Sequence, residues 1–151
     1  IDKYAQLGNA QAFQFSKPRI EGLNFSFSGL KTSILYTIRD QVKLDEKFKE
    51  THLNDLCASI QNSIVSILMA KIEKAVKETG IQCVVIAGGV SANSELRKRL
   101  QAKMEQGWKV SIPKFSYCTD NAAMIAMAGK FLFESGVRAD QSISAQARLA
   151  W

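Results

Sequence analysis

The chain has 151 residues, of which 46% are hydrophobic and 23% charged, a balance typical of one ordinary globular unit. No apolar run reaches the roughly 18 residues that span a bilayer, and no signal-peptide pattern opens the chain, so we expect no membrane partner. The formal net charge of +6 permits a polyanionic partner such as nucleic acid, although many basic domains merely carry solvated lysines.

The first third of the chain mixes short elements. Residues 1–9 are typical of the end of a helix already under way and do not begin with methionine, so we expect a piece of a longer protein. Residues 8–21 predict a loop or a short strand, and the alternating aromatic residues 24–27 predict a brief strand. Helical spacing then predicts a helix from Ser28 to about Val42, followed by a solvated turn or helix edge at 43–50.

The clearest element lies in the middle of the chain. Apolar residues keep steps of three and four from Leu53 to Val76, which predicts a long amphipathic helix. Gly80 is expected to end this helix in the left-handed conformation, because glycine has no Cβ to oppose it.

Two strands and two helices are predicted after Gly80. The near-continuous apolar run 81–87 predicts a strand buried on both faces, and residues 108–112 predict a second strand. Ser94 is expected to cap the helix between them, and Thr119 a last helix. This alternation predicts an α/β fold whose strands pair in parallel through helical crossovers.

The three cysteines, Cys57, Cys83 and Cys118, stand far apart and show no C-x-x-C spacing. An odd, scattered set in apolar surroundings is typical of free thiols in a reducing compartment. The sequence therefore predicts a cytoplasmic protein.

The stretch VVIAGGVSAN, residues 84–93, places two glycines between a predicted strand and a predicted helix. Ligands of open α/β sheets bind beyond the carboxyl ends of the strands, and glycine lets a nucleotide approach the backbone there. Asn93 could offer a donor and an acceptor to ribose hydroxyls. Gly88 and Gly89 could instead serve a sharp turn that Asn93 helps to cap, and spacing alone leaves both interpretations open.

Two further stretches have ordinary interpretations. FSFSGLKTS, residues 25–33, lacks the Gly-Lys-Ser/Thr of a Walker A loop, which favours a helix capped by Ser28 with Lys31 in solvent. YCTDNAAM, residues 117–124, places Asp120 in the expected first turn of a helix, where the macrodipole stabilises a carboxylate by roughly 0.3–1 kcal/mol. Such an acid could bind a metal, but on the residues alone helix stabilisation is the default.

Other chemistry finds little support. His52 is the single histidine, is predicted at the surface, and cannot supply a zinc cluster. No Ser/His/Asp or Cys/His pairing is signalled, so no catalytic residue is assigned. A basic run could contact phosphates or simply form a polar outer helix face; it comprises Arg97, Lys98, Arg99, Lys103 and Lys109.

FSFSGLKTS, VVIAGGVSANSELR and CTDNAAMIAMAG, in this order and spacing, closely resemble the tRNA threonylcarbamoyladenosine transferase (TsaD) family, also called glycoproteases or O-sialoglycoprotein endopeptidases. The similarity runs from Ile1 to about Arg148 and implies a C-terminal portion. The fold implied is that of actin-like ATPases (ASKHA, ribonuclease H-like), with two α/β lobes around a nucleotide cleft. Residues 1–118 would form the second lobe, incomplete at its N-terminus, and residues 119–151 a terminal helix and tail returning towards the first lobe.

The resemblance also implies roles for individual residues. Asp120 matches the family's metal-binding aspartate, and Asn93 matches its nucleotide-binding asparagine. Asp2 matches the aspartate that follows the family's Pro-Gly-Gly-Pro loop and holds the substrate, while Gly88 and Gly89 match the glycine turn on the adenosine side. These roles imply one divalent metal, iron or zinc, and an adenine nucleotide, either threonylcarbamoyl-adenylate or ATP.

The activity implied is transfer of a threonylcarbamoyl group from its adenylate to the exocyclic amine of the adenosine beside the tRNA anticodon. The partners implied are tRNA, a paralogous actin-fold protein and an ATPase; a homodimer through the exposed surface of the lobe is a further expectation. The family also holds its metal through a His-x-x-x-His helix that this chain lacks. We therefore expect the isolated chain neither to hold metal tightly nor to transfer the group.

Three alternatives stand beside this interpretation. An actin-fold small-molecule kinase or ATPase would share the glycine turn but not necessarily the TDNAAMIA helix. A metalloprotease needs a metal-bound water and a general base, for which the sequence offers no candidate pair. A non-catalytic interaction module would use apolar surface that the absence of the other lobe exposes.

Overall fold

The computed structural model describes residues 1–18 and 20–144, and in this part of the chain the architecture is a mostly helical α/β arrangement. None of the helices described there combines the length and the apolarity needed to cross a membrane. The end of the predicted tail, residues 145–151, lies outside the described residues. The elements in chain order are α1 (Asp2–Ala5), α2 (Ser28–Leu44), α3 (Phe48–Thr51), α4 (Leu53–Thr79), β1 (Cys83–Val85), α5 (Ser94–Met104), β2 (Lys109–Ser111) and α6 (Ala122–Glu134).

The long helix α4 forms as its apolar spacing predicts. Gly80 ends it with φ 71°, the left-handed conformation that glycine adopts at low cost. The side chains of Leu56, Val65 and Met69 are buried along its length. Its N-terminal turns pack against α1, and its middle, around Val65 and Met69, packs against α5.

The sheet consists of β1 and β2, which pair in parallel with Val84 opposite Val110, and α5 is the crossover between them. Val84 and Val110 face a core cluster from α4 and α5, which contains Val65, Met69, Leu96 and Leu100. The prediction that the first strand is buried on both faces is wrong, because Cys83 and Val85 are exposed. The helices of the described residues cover one face of the sheet, so alternate residues of β1 face solvent.

The predicted strand at residues 24–27 is also absent from the described structure. No strand in the described ranges pairs with this segment, and the Phe25 and Phe27 rings stack on each other at 6.4 Å instead. Helix α2 begins directly afterwards at Ser28, which is its first helical residue and not its cap.

The other two predicted helix caps are displaced by one or two residues. Asn93, not Ser94, caps α5, because its side-chain oxygen accepts a hydrogen bond from the Leu96 N–H at 3.0 Å. Asn121, not Thr119, caps α6 by accepting from the Met124 N–H at 3.1 Å. Asparagine is as good an N-cap as serine, so spacing alone could not separate these candidates. Asp120 consequently precedes α6 and does not lie in its first turn.

Helix α6 carries a continuous apolar surface that the rest of the described structure does not cover. None of its residues is buried, and Phe131 and Phe133 are each 63% exposed. Exposed apolar patches of this kind are typical of surfaces that bind another protein or domain.

The segment after α1 lies so close to α4 that Gly8 has no room for a side chain. A Cβ on Gly8 would lie 2.1 Å from the Asn54 carbonyl oxygen, which is backbone and cannot rotate away. We expect Gly8→Ala to lower the free energy of unfolding by about 1–3 kcal/mol, the usual cost of overpacking. Urea unfolding followed by circular dichroism measures the change.

Gly29→Ala is the matched control, because the nearest heavy atom to a Cβ there is Pro18 Cβ at an ordinary 3.9 Å. Gly29 lies within α2, where alanine is favoured over glycine by up to about 1 kcal/mol. Equal unfolding midpoints for the two variants would contradict the close approach of Gly8 to α4.

Candidate functional site

The first part of the site is the glycine turn, residues 88–92, which follows β1. Gly88 has φ 75° and ψ 179°, a backbone conformation essentially restricted to glycine. Its carbonyl accepts hydrogen bonds from both the N–H and the hydroxyl of Ser91, whose side chain is buried. Gly88 therefore serves the sharp turn that one interpretation of the sequence required.

Gly89 is different, because neither conformation nor packing in the described residues requires glycine there. Its φ is not positive, and an added Cβ would have no described heavy atom within 4 Å. Gly89 is exposed at the start of a short 3-10 turn, Gly89–Ala92. Its missing side chain leaves the backbone open to a ligand. At Gly89 this favours the interpretation in which a nucleotide approaches the backbone.

Asn93 lies at the end of the glycine turn with both ends of its side chain engaged. Its oxygen caps α5, and its Nδ2 donates to Gln61 Oε1 at 2.9 Å. Gln61 is a buried polar residue of α4 that the sequence analysis did not single out. Buried amides need partners, so Gln61 fixes the orientation of Asn93.

The structure brings Asp2 to the same place from the opposite end of the chain. Its carboxylate accepts hydrogen bonds from the Ser94 N–H at 3.2 Å and from the Ser94 hydroxyl at 2.5 Å. Asp2 therefore lies at the N-terminus of α5, where the free N–H groups and the macrodipole favour an anion. Asp2 and Asn93 thus flank Ser94 in space although 91 positions separate them in sequence.

The acid loop, residues 112–121, follows β2 and contains Asp120. Because β1 and β2 are parallel neighbours, the acid loop and the glycine turn leave the sheet at the same edge. A short 3-10 turn, Phe115–Tyr117, leads to the buried Cys118 and then to the exposed Asp120. The two loops therefore belong to one end of the sheet.

Asp120 alone does not fit a metal ion. Within residues 1–18 and 20–144, no three histidine, cysteine, aspartate or glutamate side chains come together as a ligand set. A catalytic metal usually takes about three protein ligands, and a single exposed carboxylate falls short of that. No chemical step is therefore assigned to a metal on this chain's residues.

An open groove lies between α2, α4 and the glycine turn. It consists of a cavity of about 380 Å³ and an adjoining one of about 160 Å³, which share Ile64, Leu68 and Val90 in their walls. Asn93 and Gln61 line the smaller cavity. The larger cavity is lined mainly by apolar side chains, which together with the three shared residues include Phe27, Leu30, Lys31 and Ile34.

The groove revises the ordinary interpretation of FSFSGLKTS. Phe27, Leu30 and Lys31 of that stretch form part of the wall, although Lys31 is also exposed to solvent as expected. Helical spacing could have placed Leu30 and Ile34 on one face of α2, but it could not indicate that the face borders a cavity.

Three residues of the basic run bind other parts of the fold, which neither interpretation of the sequence predicts. Arg97 directs its guanidinium to the backbone carbonyls of Ser91 and Pro113, at 2.6 Å each. Arg99 reaches α4 by donating to Asn62 and Ser66, and Lys103 pairs with Glu73. These three cations hold elements of the fold together, which their sequence spacing does not reveal.

A family model described as tRNA N6-adenosine threonylcarbamoyltransferase (TsaD) matches residues 1–127 of the chain. A protein of that name from Christiangramia forsetii is 55% identical over 149 residues, which are 98% of this chain and 44% of that protein. Its namesakes from Riemerella anatipestifer and Cytophaga hutchinsonii are 50% and 47% identical over 98% and 99% of this chain, again 44% of their own length. The chain thus spans less than half the length of these relatives. On these matches, which include the glycine turn, Asn93 and Asp120, the chain belongs to the tRNA N6-adenosine threonylcarbamoyltransferase (TsaD) family.

Proposed function

We propose that this chain forms the nucleotide-binding part of a tRNA-modifying acyltransferase. The exocyclic amine of an adenosine beside the tRNA anticodon attacks the carbonyl carbon of threonylcarbamoyl-adenylate. A carbon–nitrogen bond forms, the carbon–oxygen bond to the phosphate breaks, AMP leaves, and the amine loses a proton. The name of the relatives, which describes a transferase and neither a kinase nor a protease, supports this proposal.

One observation carries the placement of the nucleotide, namely the open groove whose wall includes Val90, the residue directly after the bare backbone of Gly89. A cavity of about 380 Å³ is within the range of small-ligand sites, and its apolar walls suit the faces of an adenine ring. The ribose would then lie along the glycine turn towards Asp2 and Asn93 at the N-terminus of α5. Asn93 would orient the nucleotide, because its position is fixed by Gln61.

Asp2 would complete this end of the site. A carboxylate has about four lone-pair positions, so Asp2 can retain both Ser94 hydrogen bonds and still accept from ribose hydroxyls. The amine is a weak nucleophile, so positioning of the two substrates is the main contribution that these residues make.

The wider assembly is also part of the proposal. Residues 1–118 would be the second lobe of the actin-like fold, and the exposed apolar surface of α6 would pack on the first lobe. Asp120 would contribute one ligand to an iron or zinc ion whose other ligands lie outside this chain. We propose a cytoplasmic location, with tRNA, a paralogous actin-fold protein and an ATPase as partners; self-association through α6 is the competing use of that surface.

Gly89→Ala tests the placement of the nucleotide. We expect the variant to bind ATP or AMP about tenfold more weakly, because the new methyl group occupies the space through which the nucleotide approaches the backbone. The free energy of unfolding should be unchanged, since the Cβ contacts nothing in the described structure. Isothermal titration of a full-length protein carrying this sequence measures the affinity.

Gly129→Ala is the control, because a Cβ at Gly129 is equally unobstructed and Gly129 lies in α6, outside the glycine turn. Its affinity should equal that of the unaltered protein. If Gly89→Ala also binds with unaltered affinity, the nucleotide does not approach this backbone and the proposed placement is wrong.

A further inference from the structure

We infer that Arg97 is a positioning residue, which holds the glycine turn and the acid loop at a fixed separation. The inference rests on the proposed function only in taking these two loops as the nucleotide site. The sequence offered Arg97 as a phosphate contact or a solvated residue. Its guanidinium instead points between the two loops.

The contacts of Arg97 reach both loops at once. Nε donates to the Ser91 carbonyl at 2.6 Å, and Nη2 donates to the Pro113 carbonyl at 2.6 Å and to Cys118 Sγ at 3.2 Å. The guanidinium also lies over the Phe115 ring, 4.2 Å from its centroid. Hydrogen bonds from a charged donor are roughly twice as strong as neutral ones, so the two carbonyl contacts are strong restraints on loop position.

No other polar contact in the described residues joins the glycine turn to the acid loop. The last backbone hydrogen bond between the two chain segments joins the Ile86 N–H to the Ser111 carbonyl at 3.2 Å, before either loop begins. Beyond it, no backbone hydrogen bond of the described ranges connects the glycine turn with the acid loop. Arg97 therefore supplies the polar connection that the sheet no longer provides.

The restraint extends to the predicted site residues. The Ser91 hydroxyl donates a hydrogen bond to the Gly88 carbonyl. Because Arg97 binds the Ser91 carbonyl, it also holds the sharp turn at Gly88, which directly precedes Gly89. On the other side, Cys118 precedes Asp120 by two positions, so Arg97 also fixes the approach to Asp120. One side chain thus links the glycine turn to the segment that leads to Asp120.

Arginine suits this position better than lysine. The planar guanidinium donates in several fixed directions and stacks on an aromatic face, whereas an ammonium is a single point charge. Arg97→Lys keeps the charge and loses the fork, so it separates positioning from electrostatics.

Arg99 provides a matched control on the same helix. It lies two residues further along α5 and donates to Glu95, Ser66 and Asn62 at 2.7, 2.9 and 2.7 Å. These partners belong to α5 and α4, and none lies in either loop. Arg99→Lys therefore disturbs a hydrogen-bond network of similar size without touching the site.

The test compares the two variants in a full-length protein carrying this sequence. We expect Arg97→Lys to weaken AMP binding about tenfold, and Arg99→Lys to leave it within about twofold. Amide hydrogen exchange should accelerate in both loops, residues 88–92 and 112–121, in Arg97→Lys alone. A loss of stability without a positioning role would not produce paired acceleration confined to these loops.

The outcomes separate this inference from the proposed function. If Arg97→Lys and Arg99→Lys show the same affinity and the same loop exchange, Arg97 does not position the loops. If the unaltered protein binds no adenine nucleotide, the proposed function fails, and the hydrogen-exchange comparison still decides the role of Arg97.

Discussion

Replacing Asn93 with alanine is expected to lower the free energy of unfolding by about 2–4 kcal/mol and to weaken adenine-nucleotide binding about tenfold or more. Loss of the cap of α5 accounts for about 1 kcal/mol. The rest follows because Gln61 is buried and loses its partner, which costs about 1–3 kcal/mol. Urea unfolding and isothermal titration with AMP measure the two effects.

Asn93→Asp separates the structural role from the binding role. Aspartate is an equally good cap, and Gln61 can rotate its amide so that it donates to the new carboxylate. We therefore expect a free energy of unfolding close to that of the unaltered protein. Nucleotide binding should nevertheless be lost, because the carboxylate has no donor and repels a phosphate. Unaltered binding by Asn93→Asp would mean that Asn93 only caps α5.

The features that the sequence predicts well are those set by local periodicity. Helix α4, its glycine ending at Gly80 and the parallel pairing of the two short strands all follow from spacing and turn residues. The strand predicted at residues 24–27 is wrong because strand formation needs a partner, and alternation cannot supply one. The burial of β1 was overestimated for a related reason, since burial depends on which faces the helices cover.

The residues of the candidate site also divide into those that the sequence indicates and those that only the structure reveals. Family resemblance points to Asp2, Asn93 and the glycine pair, and the structure brings these residues to one end of α5. Gln61 carried no sequence signal, because its partner Asn93 is 32 residues away. Sequence spacing could not distinguish the two glycines either. Their backbone angles do, since only Gly88 has a positive φ.

Leu100→Ala is expected to be the most destabilising of these substitutions, at about 3–5 kcal/mol, because it removes a side chain with 0% exposure. Leu100 lies in the cluster with Val65, Met69 and Leu96, against which both strands pack. The cavity that Leu100→Ala leaves borders α4, α5 and the sheet together, so none of these elements can close it without moving another. Leu35→Ala, at a position 60% exposed, is the control and should cost about 0.5 kcal/mol or less.

The same variant tests how the core supports the site. Asn93 caps α5 and Arg97 lies in its first turn, and Leu96 and Leu100 form the buried face of this helix. If that packing sets the position of α5, Leu100→Ala should weaken nucleotide binding even at temperatures where the protein remains fully folded. Affinity that is unaltered in the folded variant would mean that Asp2, Gln61 and Arg97 hold the end of α5 without help from the core.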